Sequence, residues 1–534
     1  MPRFDWAAAA FDPKYLLLVL DWIWFSLGLS CLVLAAVFAS RRTESARIER
    51  WLKTHDGVPF ALWGVGVPIA IAVLKLAQVY SYQIMWDSGV TANVAWNAGH
   101  GYGLTSSALA DHSYLFVHFA FTLALLSPLF RLWESIAVLA IVQGVAVGSS
   151  VLAVYLLAKE RMKDPLLASA AAFLCMSHPL FKGLAGSVID DSVFAAPLFL
   201  WSAYFWETGR KRAAVLTALL LLTTREQVPF IFFGVGLYLL ISRSRRKGLG
   251  AAFLVGSPLL WIREMRVIHH ARSWLTSGCF DNWGLFGGLG GSLDSIVNLG
   301  LHRPWELILA LVVPPIKLMA PLQILFQAAF MPLFSGVAFA IACAAWFPHQ
   351  LADAASDYHR LNAHSSAFVF GPLMWAAVVG ISRLARARVG WRHGIVAYVL
   401  CVSGIGLVYS QDFYQPGLFP SSWRAAAPKA LARIPRDAKV WCDEYFLPQL
   451  AMRRYVRTLP RSLPSCVFEG NLFVPDRVLL STHWLRMAEP AARERIMGFL
   501  ARRGFRVSFQ ERDLIVLTNP AGDANAPPQP IALP

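Results

Sequence analysis

The chain has 534 residues, of which 57% are hydrophobic and only 15% charged, and its mean hydropathy of +0.51 exceeds what a water-soluble domain of this length sustains. The net charge of +16 does not mark a nucleic-acid binder, because such a protein gathers its basic residues into one patch or stripe. Here they fall in short clusters between apolar stretches, where basic loops mark the cytoplasmic side of a membrane.

Apolar windows of about 20 residues, long enough to cross a hydrocarbon core of about 30 Å, recur from Tyr15 to about Ser410. They predict eleven or twelve spans. The first, Tyr15 to Ala39, is too long for a signal-peptide core and lacks a preceding basic region, so it reads as a retained span. The cluster Arg41, Arg42, Arg47, Arg50 and Lys53 then fixes a cytoplasmic loop, and the span Val58 to Tyr80 delivers Met85-Trp86-Asp87-Ser88-Gly89 to the outer surface. The next basic cluster is Lys159, Arg161 and Lys163. Of the two apolar stretches between them, Tyr114 to Phe130 and Ile136 to Leu157, only one crosses; the first, shorter and carrying His118 and Pro128, is expected to lie in the interface.

Leu166 to Leu184 leads outward and Val193 to Trp206 returns to Arg210, Lys211 and Arg212. Ala213 to Ile241 then leaves and returns as a hairpin of two short helices with a charged outer tip, Thr224-Arg225-Glu226-Gln227. After Arg243, Arg245, Arg246 and Lys247, a span at Gly250 to Ile262 enters an outer loop, Arg263 to Trp305. Its run Gly284 to Gly291 superficially matches a dinucleotide loop, but no strand precedes it and no long helix follows, so it reads as a flexible loop. Leu307 to Leu318 and Ile324 to Trp346 are expected to meet at an inner turn near Lys317. Phe368 to Ile381 descends to the cluster Arg383, Arg386, Arg388 and Arg392, and Gly394 to Tyr409 places the remainder outside.

The predicted organisation is a polytopic α-helical membrane domain over 1–410, with outer loops at 81–135 and 263–305, followed by a small extracytoplasmic α/β domain at 411–518. In the latter, strand-like runs at Lys439 to Trp441, Arg477 to Leu480 and Leu514 to Leu517 alternate with helical patterns at Ala425 to Arg433 and Ala491 to Arg502. Residues 519–534, proline-rich and polar, are expected to be disordered. Cys31, Cys175, Cys343 and Cys401 lie in spans as small apolar side chains, whereas Cys442 and Cys466 fall in a polar region and read either as a disulfide or as two thiols.

This threading gathers Asp87, Asp111, His112, His118, Asp190, Asp191, Arg225, Glu226, Asp353, Asp357, His359 and His364 on the outer side. Any outer loop carries some polar residues for solvation. Arg225-Glu226 is harder to explain that way, since a turn between two short apolar helices does as well with Gly, Asn or Ser. No metal-ligand spacing is diagnostic, and no metal or cofactor is assigned.

The segment from Trp86 onward resembles the domain-of-unknown-function family 2079 of bacterial membrane proteins. Asp87, Gly89, Trp96, Asn97 and Gly101 fall at the places of its Phe-Asp-Leu-Gly, Trp-Asn and Gly elements, with Trp86 for the Phe and Asn93 for a Gln. His118-Phe119, Pro128-Leu129-Phe130-Arg131-Leu132, Arg225-Glu226 with Gly236-Leu237-Tyr238, and Tyr358-His359 are similar to its later motifs; Asp190-Asp191-Ser192 departs from its His-Pro-Glu.

The resemblance implies a distant relation to the GT-C membrane glycosyltransferases, in which an acidic residue of the first outer loop serves catalysis. The fold expected is therefore GT-C-like, in the cytoplasmic membrane, with membrane lipids and a lipid-linked sugar donor as partners. Asp87 is the expected general base, with its pKa raised by desolvation near the apolar interface. Arg225, assisted by His118 or His359, is the expected donor-phosphate group. Trp86, Trp96, Asn97, Asp190, Asp191, Glu226, Tyr358 and His364 are expected to bind substrate or support the site, with Asp190 and Asp191 on sugar hydroxyls or a divalent ion. A transporter or flippase for an envelope lipid or small solute, and a non-catalytic envelope scaffold, are the competing readings; the first is disfavoured by the lack of an internal repeat.

Overall fold

The structure, a computed structural model, describes residues 13–40, 42–82, 84, 86–109, 111–272, 289, 293–313, 316–352, 363–387, 391–409, 421–461 and 473–520. It is mainly α-helical, with a small five-stranded sheet near the C-terminus. Among the described residues four helices are long and apolar enough to cross a membrane: Gly57–Tyr80, Ala137–Met162, Met331–Leu351 and Ala367–Ala387. A fifth arises if Pro165–Ser177 and Pro179–Gly186, bent by 55° at His178, form one span. Two other expected spans lie in long helices, Pro13–Ser40 and Lys247–Arg272, and several are shorter helices, among them Ala195–Glu207, Lys211–Leu222 and Val228–Ile241. Twelve to fourteen residues rise only about 18–21 Å.

The elements that matter below are α1 (Gly57–Tyr80), α2 (Trp86–Gly99), α3 (Ala137–Met162), α4 (Pro179–Gly186), α5 (Ala195–Glu207), α6 (Lys211–Leu222), α7 (Val228–Ile241) and α8 (Lys247–Arg272). Small residues set one close helix contact. A Cβ on Gly144 or Gly148 of α3 would come within 2.4 Å of the Cα of Ala72 or Pro68 on α1, so two glycines one turn apart let these backbones touch, the packing favoured where lipid supplies no hydrophobic drive. The stretch Tyr114 to Phe130 breaks into a 3-10 turn, Tyr114–Phe116, and two five-residue helices, Thr122–Leu126 and Pro128–Leu132. None of these pieces is long enough to cross.

Two expectations are corrected. Lys317 is not an exposed loop marker: it is the second residue of the helix Ile316–Gln327, buried, with its ammonium donating to the carbonyls of Ala310 and Gln350. Gln350 is at the C-terminal end of Phe339–Leu351, so a basic residue that looked like a topology marker is an internal tie between two helix ends. No single helix covers Leu307 to Leu318 either; Pro304–Ala310 stops short of it.

The C-terminal region is also not an appendage. Its sheet has the order β4-β3-β5-β7-β6, with β3 (Val440–Cys442) parallel to both β4 (Val456–Thr458) and β5 (Arg477–Ser481), and β7 (Leu514–Thr518) antiparallel to β5 and to β6 (Arg506–Glu511). Both faces are buried, as the continuous apolar runs demand. Val478, Leu480, Ile515 and Leu517 pack with Ile496 and Leu500 of the helix Pro490–Arg502. Leu479, Leu514 and Val516 point the other way, into a core shared with Trp423, Ala426 and Ala430 and with Val90, Val94, Leu109 and Phe130 of the first outer loop. The loop and the sheet therefore fold as one unit. Cys442 is a buried free thiol on β3. Cys466, the run Gly284 to Gly291 apart from Leu289, and residues 521–534 lie outside the described residues.

Candidate functional site

The polar residues expected on the outer side form two groups, one buried and one around the exposed Asp87. The buried group starts from the loop Ser187 to Asp191, which is held from three helices. Lys75 of α1 donates to the Ser187 carbonyl, and Gln78 to that of Gly186 at 3.0 Å. Gln143 of α3 donates to the Val188 carbonyl at 3.1 Å and accepts the Asp190 N–H at 3.0 Å. Ser88 of α2 accepts the Ile189 N–H at 2.8 Å. Asp190 then caps the turn Asp191–Phe194 by accepting the Ser192 N–H at 2.8 Å, the local role for which a short acidic side chain is suited.

Against this loop lies Arg225, at the break between α6 and α7. It is only 5% exposed, so the tip expected to be exposed and charged is instead buried. Its Nη2 donates to Asp190 Oδ2 at 2.6 Å and to Asp191 Oδ1 at 3.2 Å, its Nε to Asp191 Oδ2 at 3.0 Å, and its Nη1 to His118 Nε2 at 3.1 Å. The Tyr114 hydroxyl donates to Asp191 Oδ1 at 2.9 Å and accepts from Nη2 at 3.4 Å. Because the guanidinium only donates, His118 Nε2 faces it as the acceptor, and Nδ1 lies 3.0 Å from Glu226 Oε1. Glu226 Oε2 also accepts the Phe119 N–H at 3.0 Å.

Electrostatics follow from that wiring. Burial lowers the affinity of Arg225 for its proton, but Asp190 and Asp191 outweigh it and hold the guanidinium charged. Burial raises the pKa of Asp191, with Arg225 opposing and Asp190 adding. For Glu226, burial works upward, while the proximity and hydrogen bond of His118 and the charge of Arg225 bring the pKa down to about 2. Tyr114 is pushed well above its ordinary value by burial and by Asp191.

Two readings change as a result. Arg225 and His118 are committed to internal partners, so the expected contact with a donor phosphate is not what their geometry serves. Asp190 and Asp191, 4% and 0% exposed, face Arg225 rather than sugar hydroxyls or a divalent ion. Among the described residues, no group of three or more His, Cys, Asp and Glu side chains is placed to hold a metal. Glu226 supports the site by fixing His118.

The second group centres on Asp87, in the first turn of α2 beside Ser88. Its side chain is exposed. Trp86 is half-buried against the shared core. Gly89 explains why this turn sits where it does: a Cβ there would lie 2.5 Å from Leu447 Cγ and 2.9 Å from the Leu447 backbone carbon, so only glycine lets the C-terminal unit come this close. Farther along α2, Asn97 and Trp96 are structural. Asn97 is buried and donates to the Thr105 carbonyl at 2.8 Å, while Asn93 donates to the carbonyls of Ala451 and Arg453, each at 2.8 Å. Trp96 stacks on His100, with ring centres 4.1 Å apart. The 3-10 turn Ala363–Ser366, which carries His364, packs against α4 and the turn Asp191–Phe194. Tyr358 and His359 lie outside the described residues.

Residues not singled out from sequence neighbour Asp87: the half-buried Glu444 and Arg461, and the buried Asp443. At the carboxyl ends of the parallel strands β3 and β5, Asp443 accepts from Ser481, and Glu444 pairs with Arg461 at 2.5 Å. Burial raises the pKa of Glu444, Arg461 lowers it, and Asp443 and Asp87 raise it further, which sets Asp87 and Glu444 within each other's field. Asp443 is raised by burial, with Ser481 and the Tyr445 amide opposing. Carboxyl ends of adjacent parallel strands are where open α/β sheets bind ligands, the one signal that could have pointed here.

The chain belongs to the family of predicted membrane proteins described as DUF2079, whose model matches residues 82–505. Among solved structures it is similar to ArnT from Cupriavidus metallidurans in the apo state, at 13% identity and a TM-score of 0.48 over 90% of this chain and 99% of that one. It is also similar to the archaeal oligosaccharyltransferase AglB from Archaeoglobus fulgidus in complex with an inhibitory peptide and a dolichol-phosphate, at 13% identity and 0.33 over 76% of this chain and 64% of that one. A crystal structure of the Archaeoglobus fulgidus oligosaccharyltransferase with Zn and sulfate gives 14% identity and 0.38 over 85% and 73%. No curated protein matches. These likenesses are too distant to carry a residue's role.

Proposed function

We propose that the protein is a GT-C-like membrane glycosyltransferase that moves a sugar from a polyprenyl-phosphate donor to an acceptor hydroxyl on the outer face of the cytoplasmic membrane. The observation that supports this best is the position of Asp87: an accessible carboxylate at the seam between the membrane domain and the C-terminal unit, beside Glu444 and above a rigid buried network. In the reaction, Asp87 takes the proton of the acceptor hydroxyl as its oxygen bonds the anomeric carbon. The bond from that carbon to the phosphate oxygen breaks, and the lipid phosphate leaves with the electron pair. A fixed cation stabilises that charge. With Arg225 internally committed, the cation of this reading is the partly exposed Arg461, which pairs with Glu444, and Arg225 is a positioning residue.

The test is Asp87→Asn, expressed at wild-type levels in membranes supplied with polyprenyl-phosphate sugars, with modified envelope components measured by mass spectrometry. Loss of a positioned general base predicts a drop of about 10²-fold or more. Product equal to wild type overturns the assignment, and solute or lipid translocation in vesicles without any glycosyl donor would replace it with the transporter reading.

A further inference from the structure

At the end of the bundle opposite the C-terminal unit, a cavity of about 240 Å³ opens between α5, α6, α7 and α8. Its walls are almost wholly apolar, from Phe199, Ala218, Val235 and Phe253 among others. Its one acidic wall residue, Glu207, is already neutralised: Arg161 pairs with it at 2.6 Å and the Trp375 indole donates to it at 2.8 Å. Nothing in the lining therefore calls for a polar guest.

The rim is the opposite in character. The turn joining α5 to α6 carries Arg210, Lys211 and Arg212, and the turn joining α7 to α8 carries Arg243, Arg245, Arg246 and Lys247. All seven are exposed, and among the described residues none pairs with a carboxylate. Some other basic residues are matched: Lys159 with Asp56, and Arg392 with Glu49 and Asp164. The Arg246 guanidinium stacks 4.1 Å from the centre of the Trp206 ring, and Trp206 is itself a wall of the cavity. The unmatched positive charge thus sits at the mouth of the apolar cleft.

We infer that this cleft binds one anionic phospholipid of the adjoining leaflet, an acyl chain lying between α6 and α8 and the phosphate among the seven basic residues. A zwitterionic lipid would fill the cavity but leave the rim uncompensated, and an inorganic anion would meet the rim but leave the cavity unfilled. Only a group with both parts matches both surfaces. Basic pockets between membrane helices hold anionic headgroups by this combination, and the binding is independent of the glycosyl-transfer reading.

The experiment compares binding of dioleoyl phosphatidylglycerol and dioleoyl phosphatidylcholine to the purified full chain in detergent, by native mass spectrometry. Wild type is expected to retain one phosphatidylglycerol in preference. Arg243→Gln with Arg245→Gln, on exposed side chains of the rim, should lower that affinity on the order of 30-fold, each cation near a lipid surface contributing about a fivefold factor. Ala218→Phe and Ala203→Leu leave every charge in place and fill the cleft, so they should abolish the preference as well. Equal binding of the two lipids by wild type, or full preference in the double glutamine variant, overturns the proposal. Retained preference in a well-folded cavity variant does so too, since diffuse attraction to any basic loop would then suffice.

Discussion

Replacing Arg225 by alanine separates a positioning role from direct phosphate contact. The guanidinium is about 95% buried and serves Asp190, Asp191, His118 and Tyr114 together. Removing one partner of a buried ion pair costs about 3–5 kcal/mol, because the other charge is left without water or counter-ion. Here two carboxylates are stranded, so the upper end applies, and screening by solvent reduces it little. A loss of that size should lower the melting temperature of a chain this long by about 4–5 °C, read by intrinsic tryptophan fluorescence in detergent. Arg225→Lys keeps the charge but not the fork, and a single ammonium does not reach both carboxylates and the imidazole, so it should recover less than half. Adding Asp190→Asn and Asp191→Asn to Arg225→Ala should restore part of the loss by removing the stranded charges. An Arg225→Ala protein that melts within about 2 °C of wild type, yet makes no product, would refute the argument and return Arg225 to the substrate.

Glu226 carries a pH signature. Its pKa is held at about 2 in the folded protein against an ordinary value of about 4.3, so its contribution is fully present above the ordinary value and is lost as pH falls toward 2; the difference amounts to roughly 3 kcal/mol. Melting curves of wild type and Glu226→Gln between pH 6 and 3 should therefore converge as acid is added, and parallel curves would remove the His118–Glu226 bond from the account. Asp191, raised by burial, has the opposite sign: its contribution is largest at low pH and is lost as pH rises. Gly89→Val addresses the seam. Its Cβ would meet Leu447 at 2.5 Å, and overpacking of this kind costs about 1–3 kcal/mol; limited proteolysis should cut the C-terminal unit faster than in wild type, with the helical domain unaffected.

Much of the architecture was legible from hydropathy and charge. The α6–α7 hairpin was foreseeable because Arg225 and Glu226 interrupt an apolar stretch too short for one straight span and a long loop. The spacing of Asp87, Gly89, Trp96 and Asn97 marked α2, although its meaning divides: Asp87 is exposed, while Asn97 and Gly89 serve packing. Other features carried no usable signal. Tyr114 in an apolar stretch reads as an interfacial anchor, and Glu444 and Arg461 sit in a polar tail where charges are unremarked. Gln143 and Lys75 could have been found, since a lone polar residue within a span needs a buried partner. Lys317 misled for the converse reason: a lysine reads as a loop marker until a buried carbonyl is seen to receive it.

The two polar groups are linked through backbone rather than through charge. Ser88 follows Asp87 in the chain and accepts the N–H of Ile189, which precedes Asp190, so the buried ions fix the loop that fixes the turn bearing Asp87. Well-packed apolar residues could replace a buried ion pair at little cost or even a gain; what they could not do is draw four separate connections, from the Tyr114–His118 segment, the Ser187–Ser192 loop, the Thr224–Gln227 break and α2, to one set of distances. Directional hydrogen bonds do that, because each donor accepts only one angular arrangement. The C-terminal unit imposes the other half of the geometry, through Leu447 on Gly89 and Glu444 beside Asp87. A carboxylate that must meet both an acceptor and a lipid-borne donor needs its position set from the membrane side and from the outer side at once. The turn bearing Asp87 is the part of this fold on which both constraints converge.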